Sequence, residues 1–318
     1  MHIDPYIVLG SAIIGLLVGM TGAGGGALMT PMLILLFGVT PSAAISSDLV
    51  AAVVMRPIGA AVHWRAGTVN RKLVVLMASG SVPAAIAGAY LLHLMGNSSS
   101  AQTHVETILG AALLAGAGAM VLRYVLDRSG KIERNAAIHE ITPRPLPTFL
   151  VGIFGGLIVG MTSVGSGSLM IVLLLFLYPL ISAKQLVGTD LTQAVPLTAA
   201  AALGALLFGT VEFGVTISLI IGSVPAVLIG SMLSSTVPDR YIRPVIAFVI
   251  FASGLKYIGL STTVLGWTLF ATLLLLGTIA VVSVRVGRRS QAETVAGDRG
   301  PPLADPALSH DLPVTRPH

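Results

Sequence analysis

The chain contains no cysteine, and only 10% of its 318 residues are charged. The first absence excludes disulfides, thiolate metal sites, iron–sulfur clusters and cysteine-relay chemistry. The second excludes an ordinary soluble fold, which needs far more charge to cover its surface. The seven histidines are scattered, with no HExxH and no nucleophile–base constellation. Neither a metal, nor a cofactor, nor an enzymatic activity is therefore expected. What is present is apolar: 54% hydrophobic residues, 36 glycines and a mean hydropathy of +0.92. Lipid is the solvent that fits this composition, and small residues let helices approach closely in it. The basic pI of 9.8 comes from residues between apolar runs, a pattern that sets membrane orientation and does not indicate nucleic acid. The N-terminus lacks a basic region before its apolar run, so a removable signal peptide is not expected.

Apolar segments lie at 6–20, 26–38, 43–64, 73–95, 104–124, 147–160, 167–181, 185–208, 213–234, 241–259 and 264–286. Crossing a hydrocarbon core takes about 20 residues. The pairs 6–20/26–38 and 147–160/167–181 are short, and each flanks a glycine-rich break. If each pair enters and returns on one side, the remaining segments make seven full spans. All 18 Lys and Arg except Arg56 and Lys256 then face the cytoplasm, as the positive-inside rule demands. The N-terminus lies outside and the C-terminus inside. The expected organisation is a membrane repeat over 1–126 and a basic, proline-containing cytoplasmic linker over 127–146. A second repeat over 147–260, an additional span at 264–286 and a disordered cytoplasmic tail over 287–318 complete it.

The repeat is written in the residues. Gly15–Met29 (GLLVGMTGAGGGALM) and Gly156–Met170 (GLIVGMTSVGSGSLM) agree at ten of fifteen positions, offset by 141. Beyond them the offset is 142, pairing Ser47-Asp48 with Thr189-Asp190, Gly67-Thr68-Val69 with Gly209-Thr210-Val211, and Gly80-Ser81-Val82-Pro83-Ala84 with Gly222-Ser223-Val224-Pro225-Ala226. An odd number of crossings separates the halves, so they are inverted. The fold class expected is an all-α polytopic membrane protein with inverted-topology repeats, each carrying a glycine-rich broken helical hairpin. Such repeats are a recurrent construction of secondary transporters, with substrate near the midplane.

The breaks are the first candidate site: Thr21, Gly22, Gly24, Gly25 and Gly26, and Thr162, Ser163, Gly165, Ser166, Gly167 and Ser168. Non-helical backbone within a membrane survives only where protein or a water-lined cavity satisfies it. A helix restarting after the break offers free N–H groups and a positive dipole end to an anion. The alternative is a packing motif. Asp48 and Asp190, each behind a hydroxyl residue (Ser47, Thr189), either bind a coupling proton or complement a helix dipole. Arg56 is the one basic residue deep in a span, and its matching position is Thr198. It either grips an oxyanion with its planar fork or forms an internal ion pair. Gln193 is a candidate lining residue. Pro83 and Pro225 are expected kinks or hinges, and His63, Trp64, Tyr257 and Trp267 interfacial anchors.

These residues resemble the sulfite exporter TauE/SafE family. The likeness rests on the duplicated break at Gly15–Gly26 and Gly156–Gly167, on Pro31, on the mid-span Ser47-Asp48 and Thr189-Asp190 pairs, and on Gly80/Pro83 and Gly222/Pro225. It covers about residues 6–260. The resemblance implies movement of sulfite, sulfonates or related sulfur oxyanions across a cell membrane. The second break, TSVGSGS, is more polar than the first. The leading expectation is a secondary transporter working by alternating access and coupled to protons or sodium. An anion channel or a carrier of another small organic anion, such as a carboxylate, is the alternative. The partners expected are a small anion, a coupling ion and the lipid bilayer. A homodimer through Gly110–Gly118 and packing of that face within one chain are both open.

Overall fold

In lipid every backbone polar group must be satisfied within the protein, and helices do this locally. A computed structural model of the chain describes residues 3–21, 25–96, 98–128, 142–167, 169–179, 181–233, 239–261, 263–269 and 271. The described residues form ten helices in the first of two units, residues 1–262. They are α1 (Pro5–Thr21), α2 (Gly26–Phe37), α3 (Pro41–Arg65), α4 (Arg71–Met95), α5 (Ser99–Arg128), α6 (Pro145–Thr162), α7 (Leu169–Leu177), α8 (Ala183–Phe208), α9 (Phe213–Leu233) and α10 (Asp239–Tyr257). In the second unit, residues 263–318, the described positions 263–269 and 271 are helical. Most of the span expected at 264–286, all of the tail at 287–318 and linker positions 129–141 fall outside the described residues.

Local chemistry sets the helix ends. Prolines open α1, α3 and α6, where the missing N–H costs nothing. Asn70 and Ser182 cap α4 and α8 by accepting from Leu73 and Gln185 N–H at 3.2 and 3.3 Å. Gly38 ends α2 in the left-handed conformation. Among the described residues six helices are long and apolar enough to cross a membrane, and they include Pro145–Thr162. The sequence reading made 147–160 a half-helix; it is longer because Pro145 and Pro147 fit a first turn and the helix runs on to Thr162. Conversely, the apolar part of 241–259 is the shorter stretch Pro244–Tyr257.

The surface is apolar and the interior holds the polar groups. Tyr6, Leu36, Phe154, Phe176, Leu207 and Met232 are exposed, whereas Ser47, Asp48, Arg56, Thr189, Asp190 and Gln193 are buried. That inversion is the pattern of a lipid-facing protein.

The halves exchange helices. α1 packs along α9, and α6 packs along α4. A Cβ at Gly15 would meet the Ser223 backbone, and one at the matching Gly156 would meet Ser81. Gly19 sits against Val227 and Gly160 against Ala85, while Gly222 and Gly80 sit against Val8 and Phe149. Every one of these pairs maps onto another by the repeat offset. Between them run α3 and α8, the start of each against the end of the other: Ser46 meets Gly209, and Thr68 meets Gly188. The matching central helices are therefore antiparallel. Gly110 packs against Gly254 of α10, so that part of the 110–118 face is occupied within the chain, while Gly118 is open.

Candidate functional site

α3 and α8 bring one polar residue set to the centre, and the breaks bring the other. Thr21 and Thr162 close α1 and α6 by donating to the Leu17 and Ile158 carbonyls, both at 2.7 Å. Thr162 Oγ1 also accepts from Val164 N–H at 3.2 Å, so the hydroxyl satisfies the backbone where the helix stops. After it, Ser163 adopts φ 58°, a left-handed conformation that costs a side-chain-bearing residue roughly 1–2 kcal/mol. Gly165 and Gly167, at φ 120° and 99°, continue a turn that other residues would resist.

The two breaks touch. A Cβ at Gly26 would collide with the Ser163 carbonyl, and one at Gly25 would rest 3.6 Å from Met55 Cε, beside Arg56. Asp48 joins them. Its Oδ2 accepts from Ser163 Oγ at 2.8 Å and from Thr30 Oγ1 at 2.9 Å. One carboxylate thus holds α2 of the first half and the break of the second.

Asp190, fully buried, is treated differently: neither of its oxygens has a hydrogen-bond partner among the described residues. The Gly167 N–H points towards it but falls short of hydrogen-bond geometry. Arg56 is 8% exposed and its Nη1 is also unpartnered. Its charge couples to Asp190 first and to Asp48 second, yet no ion pair joins it to either. Gln193 donates to Ser81 Oγ of α4 at 2.6 Å and leaves its Oε1 unpaired. Ser166 Oγ in the second break is buried and unpaired as well. A cationic fork, a hydroxyl and an amide oxygen without partners are unusual inside a helical bundle. Arg56 and Ser166 supply donors for an oxyanion.

Ser47 and Thr189 do something else. Ser47 Oγ accepts from Glu212 N–H at 3.0 Å, and Thr189 Oγ1 from Asn70 N–H at 3.1 Å. Each therefore pins the loop that follows the other half's long helix, at opposite ends of the α3–α8 pair. Pro83 and Pro225 lie on the outer faces of α4 and α9, away from the polar centre. Among the expected anchors, Trp64 is exposed with the Arg71 guanidinium 4.9 Å over its ring, and Trp267 is exposed. His63 is half-buried and bonds Thr68. Tyr257 is buried, and its Cβ lies against Gly110 of α5, where the missing side chain lets α10 come close. Gly22, Gly24 and Ser168 lie outside the described residues.

Thr30 and Ser81 escaped the sequence reading. Ser81 belongs to the duplicated GSVPA motif, which was a usable signal. Thr30 has Ile171 and Val172 at its matching positions, so the repeat gave no hint of it. No group of His, Asp or Glu among the described residues is arranged to hold a metal.

No solved structure matches the chain. It is similar to the Bacillus subtilis (strain 168) "Probable membrane transporter protein YjnA", 40% identical over 256 residues that cover 79% of this chain and 98% of the relative. It is also similar to the "Probable membrane transporter protein YdhB" of the same organism, 22% identical over 253 residues, 78% of this chain and 98% of the relative. The family model described as Sulfite exporter TauE/SafE matches residues 7–257, from the first turn of α1 to the end of α10, and the chain belongs to that family of membrane transporters.

Proposed function

We propose that this multi-pass membrane transporter is a secondary carrier of small anions, sulfite, sulfonates or related sulfur oxyanions, working by alternating access. The observation that carries the reading is Arg56: among the described residues, a buried guanidinium with an unpartnered Nη1 and no ion pair. A buried cation left without a close counter-ion is costly, and an anion is the partner that relieves it. Next to Met55 in the neighbouring turn, α2 restarts behind Gly25, a helix start of the kind that favours an anion, and the unpartnered Ser166 hydroxyl of the second break adds a donor. Residues 1–126 and 147–260 act as the two inverted repeats, with the basic linker 127–146 and the C-terminus cytoplasmic and the N-terminus outside. The hydroxyl pins at Ser47 and Thr189 then lie towards opposite sides, and release of one at a time opens one side at a time.

The test is uptake of labelled sulfite into proteoliposomes, with sulfate, thiosulfate, sulfoacetate and taurine as competitors. Saturable flux is expected. Arg56→Gln should weaken apparent affinity by about 30-fold, matching loss of one charge-assisted bond worth about 2 kcal/mol. Absence of flux or competition for every one of these anions defeats the sulfur-oxyanion assignment. Single-channel currents, far above carrier turnover, replace alternating access with a pore.

A further inference from the structure

The repeat puts Asp48 and Asp190 at equivalent positions, and the structure gives them unequal surroundings. Asp48 has two hydroxyl donors on Oδ2, from Thr30 and Ser163. The residues matching those donors are Ile171 or Val172 and Gly22, none with a hydroxyl. Asp190 therefore loses both partners by sequence, and it remains fully buried with two unsatisfied oxygens. Across the antiparallel helix pair stands Arg56, whose matching residue Thr198 is uncharged and bonds its own helix at the Ala194 carbonyl. A lone buried carboxylate is expensive, and such a group persists where it exchanges partners or a proton.

We infer that the two aspartates divide their labour: Asp48 is a fixed structural brace, and Asp190 is the group that takes up and releases a proton in step with the anion at Arg56. The inference rests on the anion-carrier reading and deepens it. With the site empty, ionised Asp190 is the counter-charge that Arg56 feels most strongly. When the anion arrives at Arg56, a proton binds the Asp190 carboxylate, and one negative charge replaces another beside the guanidinium. The buried site holds the same net charge loaded and empty, which a low-dielectric centre favours. A monoanion then moves with one proton and no net charge.

Other charges facing Asp190 do not replace this role. α3 contributes Arg56 and Asp48, and α5 contributes Arg123 as a second, weaker attraction. α6 and α7 carry no titratable residue. On α4, Arg71, Lys72, Tyr90 and His93 are all exposed, and His63, at the far end of α3, bonds Thr68.

Two measurements decide it. In infrared difference spectra of the purified protein taken across pH, the band of a protonated buried carboxyl should vanish in Asp190→Asn and remain in Asp48→Asn. A band that survives in Asp190→Asn, or vanishes only in Asp48→Asn, overturns the assignment. In proteoliposomes, methanesulfonate stays a monoanion near neutral pH, so its proton-driven accumulation reports protons carried by the protein and not titration of the probe; sulfite is the second probe. An inwardly directed proton gradient should drive accumulation by the wild type and by Asp190→Glu. Asp190→Asn should lower that accumulation at least tenfold while anion exchange stays measurable. Undiminished proton-driven accumulation in Asp190→Asn overturns the inference. If the infrared band belongs to Asp190 and the wild type moves neither anion, the proton site stands and the carrier reading falls.

Discussion

Ser163 Oγ donates to Asp48 Oδ2 at 2.8 Å across 115 positions of sequence. The bond ties the break of one repeat to the central helix of the other, and Thr30 shares the same acceptor oxygen. Ser163→Ala and Thr30→Val should each lower stability by about 1.5–3 kcal/mol, the range for a hydrogen bond to a charged group. Their double-mutant cycle should show coupling, because both act on one oxygen. Thermal unfolding in detergent reads it.

Ser163 also separates hydroxyl from backbone. Ser163→Gly loses the bond but relaxes φ 58°, whereas Ser163→Ala loses the bond and keeps the strain. The glycine variant should be the more stable of the two by roughly 1 kcal/mol. Equal stabilities would mean that the break rearranges once its hydroxyl is gone.

Arg56→Lys keeps a charge and removes the planar fork. It should recover only part of the affinity lost in Arg56→Gln, because an ammonium cannot present two parallel donors to an oxyanion. Competition by sulfite in the flux assay measures the difference. Full recovery would make Arg56 a point charge only.

The pins formed by Ser47 and Thr189 should act in opposite senses. Ser47→Ala frees the Glu212 N–H, and Thr189→Val frees the Asn70 N–H. Each loss is comparable to a helix cap, roughly 0.5–2 kcal/mol, enough to shift a two-state balance several-fold. The chain has no cysteine, so single cysteines at Ala66 and Val211 report accessibility without a background. One variant should raise labelling at one site and lower it at the other. Parallel changes at both sites would remove the alternating role.

The interhelical glycines make a steric prediction. Gly19→Val and Gly160→Val drive side chains into the Val227 and Ala85 backbones. Each should cost about 2–3 kcal/mol or more, in similar measure because the contacts match. Gly118→Ala meets open space and should stay within about 0.5 kcal/mol. Melting temperatures of the three variants form the check.

Much of this arrangement could be read in advance, because helices in lipid announce themselves by length and apolarity, and a duplicated motif announces symmetry. The ends of α3, α4, α8 and α9 fell within two residues of expectation for that reason. α6 ran longer, since an apolar count cannot tell that Pro145 and Pro147 start a helix rather than precede it. The members of the polar centre were legible, but their partners were not. Asp48 and Asp190 look alike in sequence, and only the fold reveals that the Thr30 and Ser163 hydroxyls converge on one, while no hydrogen bond among the described residues reaches the other. Tyr257 reads as an anchor because it ends a span; the glycine at 110 that lets its backbone come close is 147 positions away in the chain.

The exchange of α1 and α6 between halves constrains how the protein is made. α1 ends at Thr21, and α9, against which its glycine face lies, begins at Phe213. At roughly 5–20 residues per second of synthesis, α1 waits about ten to forty seconds in the bilayer with that face uncovered. α4 waits about three to ten seconds for α6. A chain halted in the linker would leave both faces bare, so neither repeat is a folding unit by itself. Nascent α1 needs lipid or the insertion machinery as a temporary neighbour until α9 emerges to cover it.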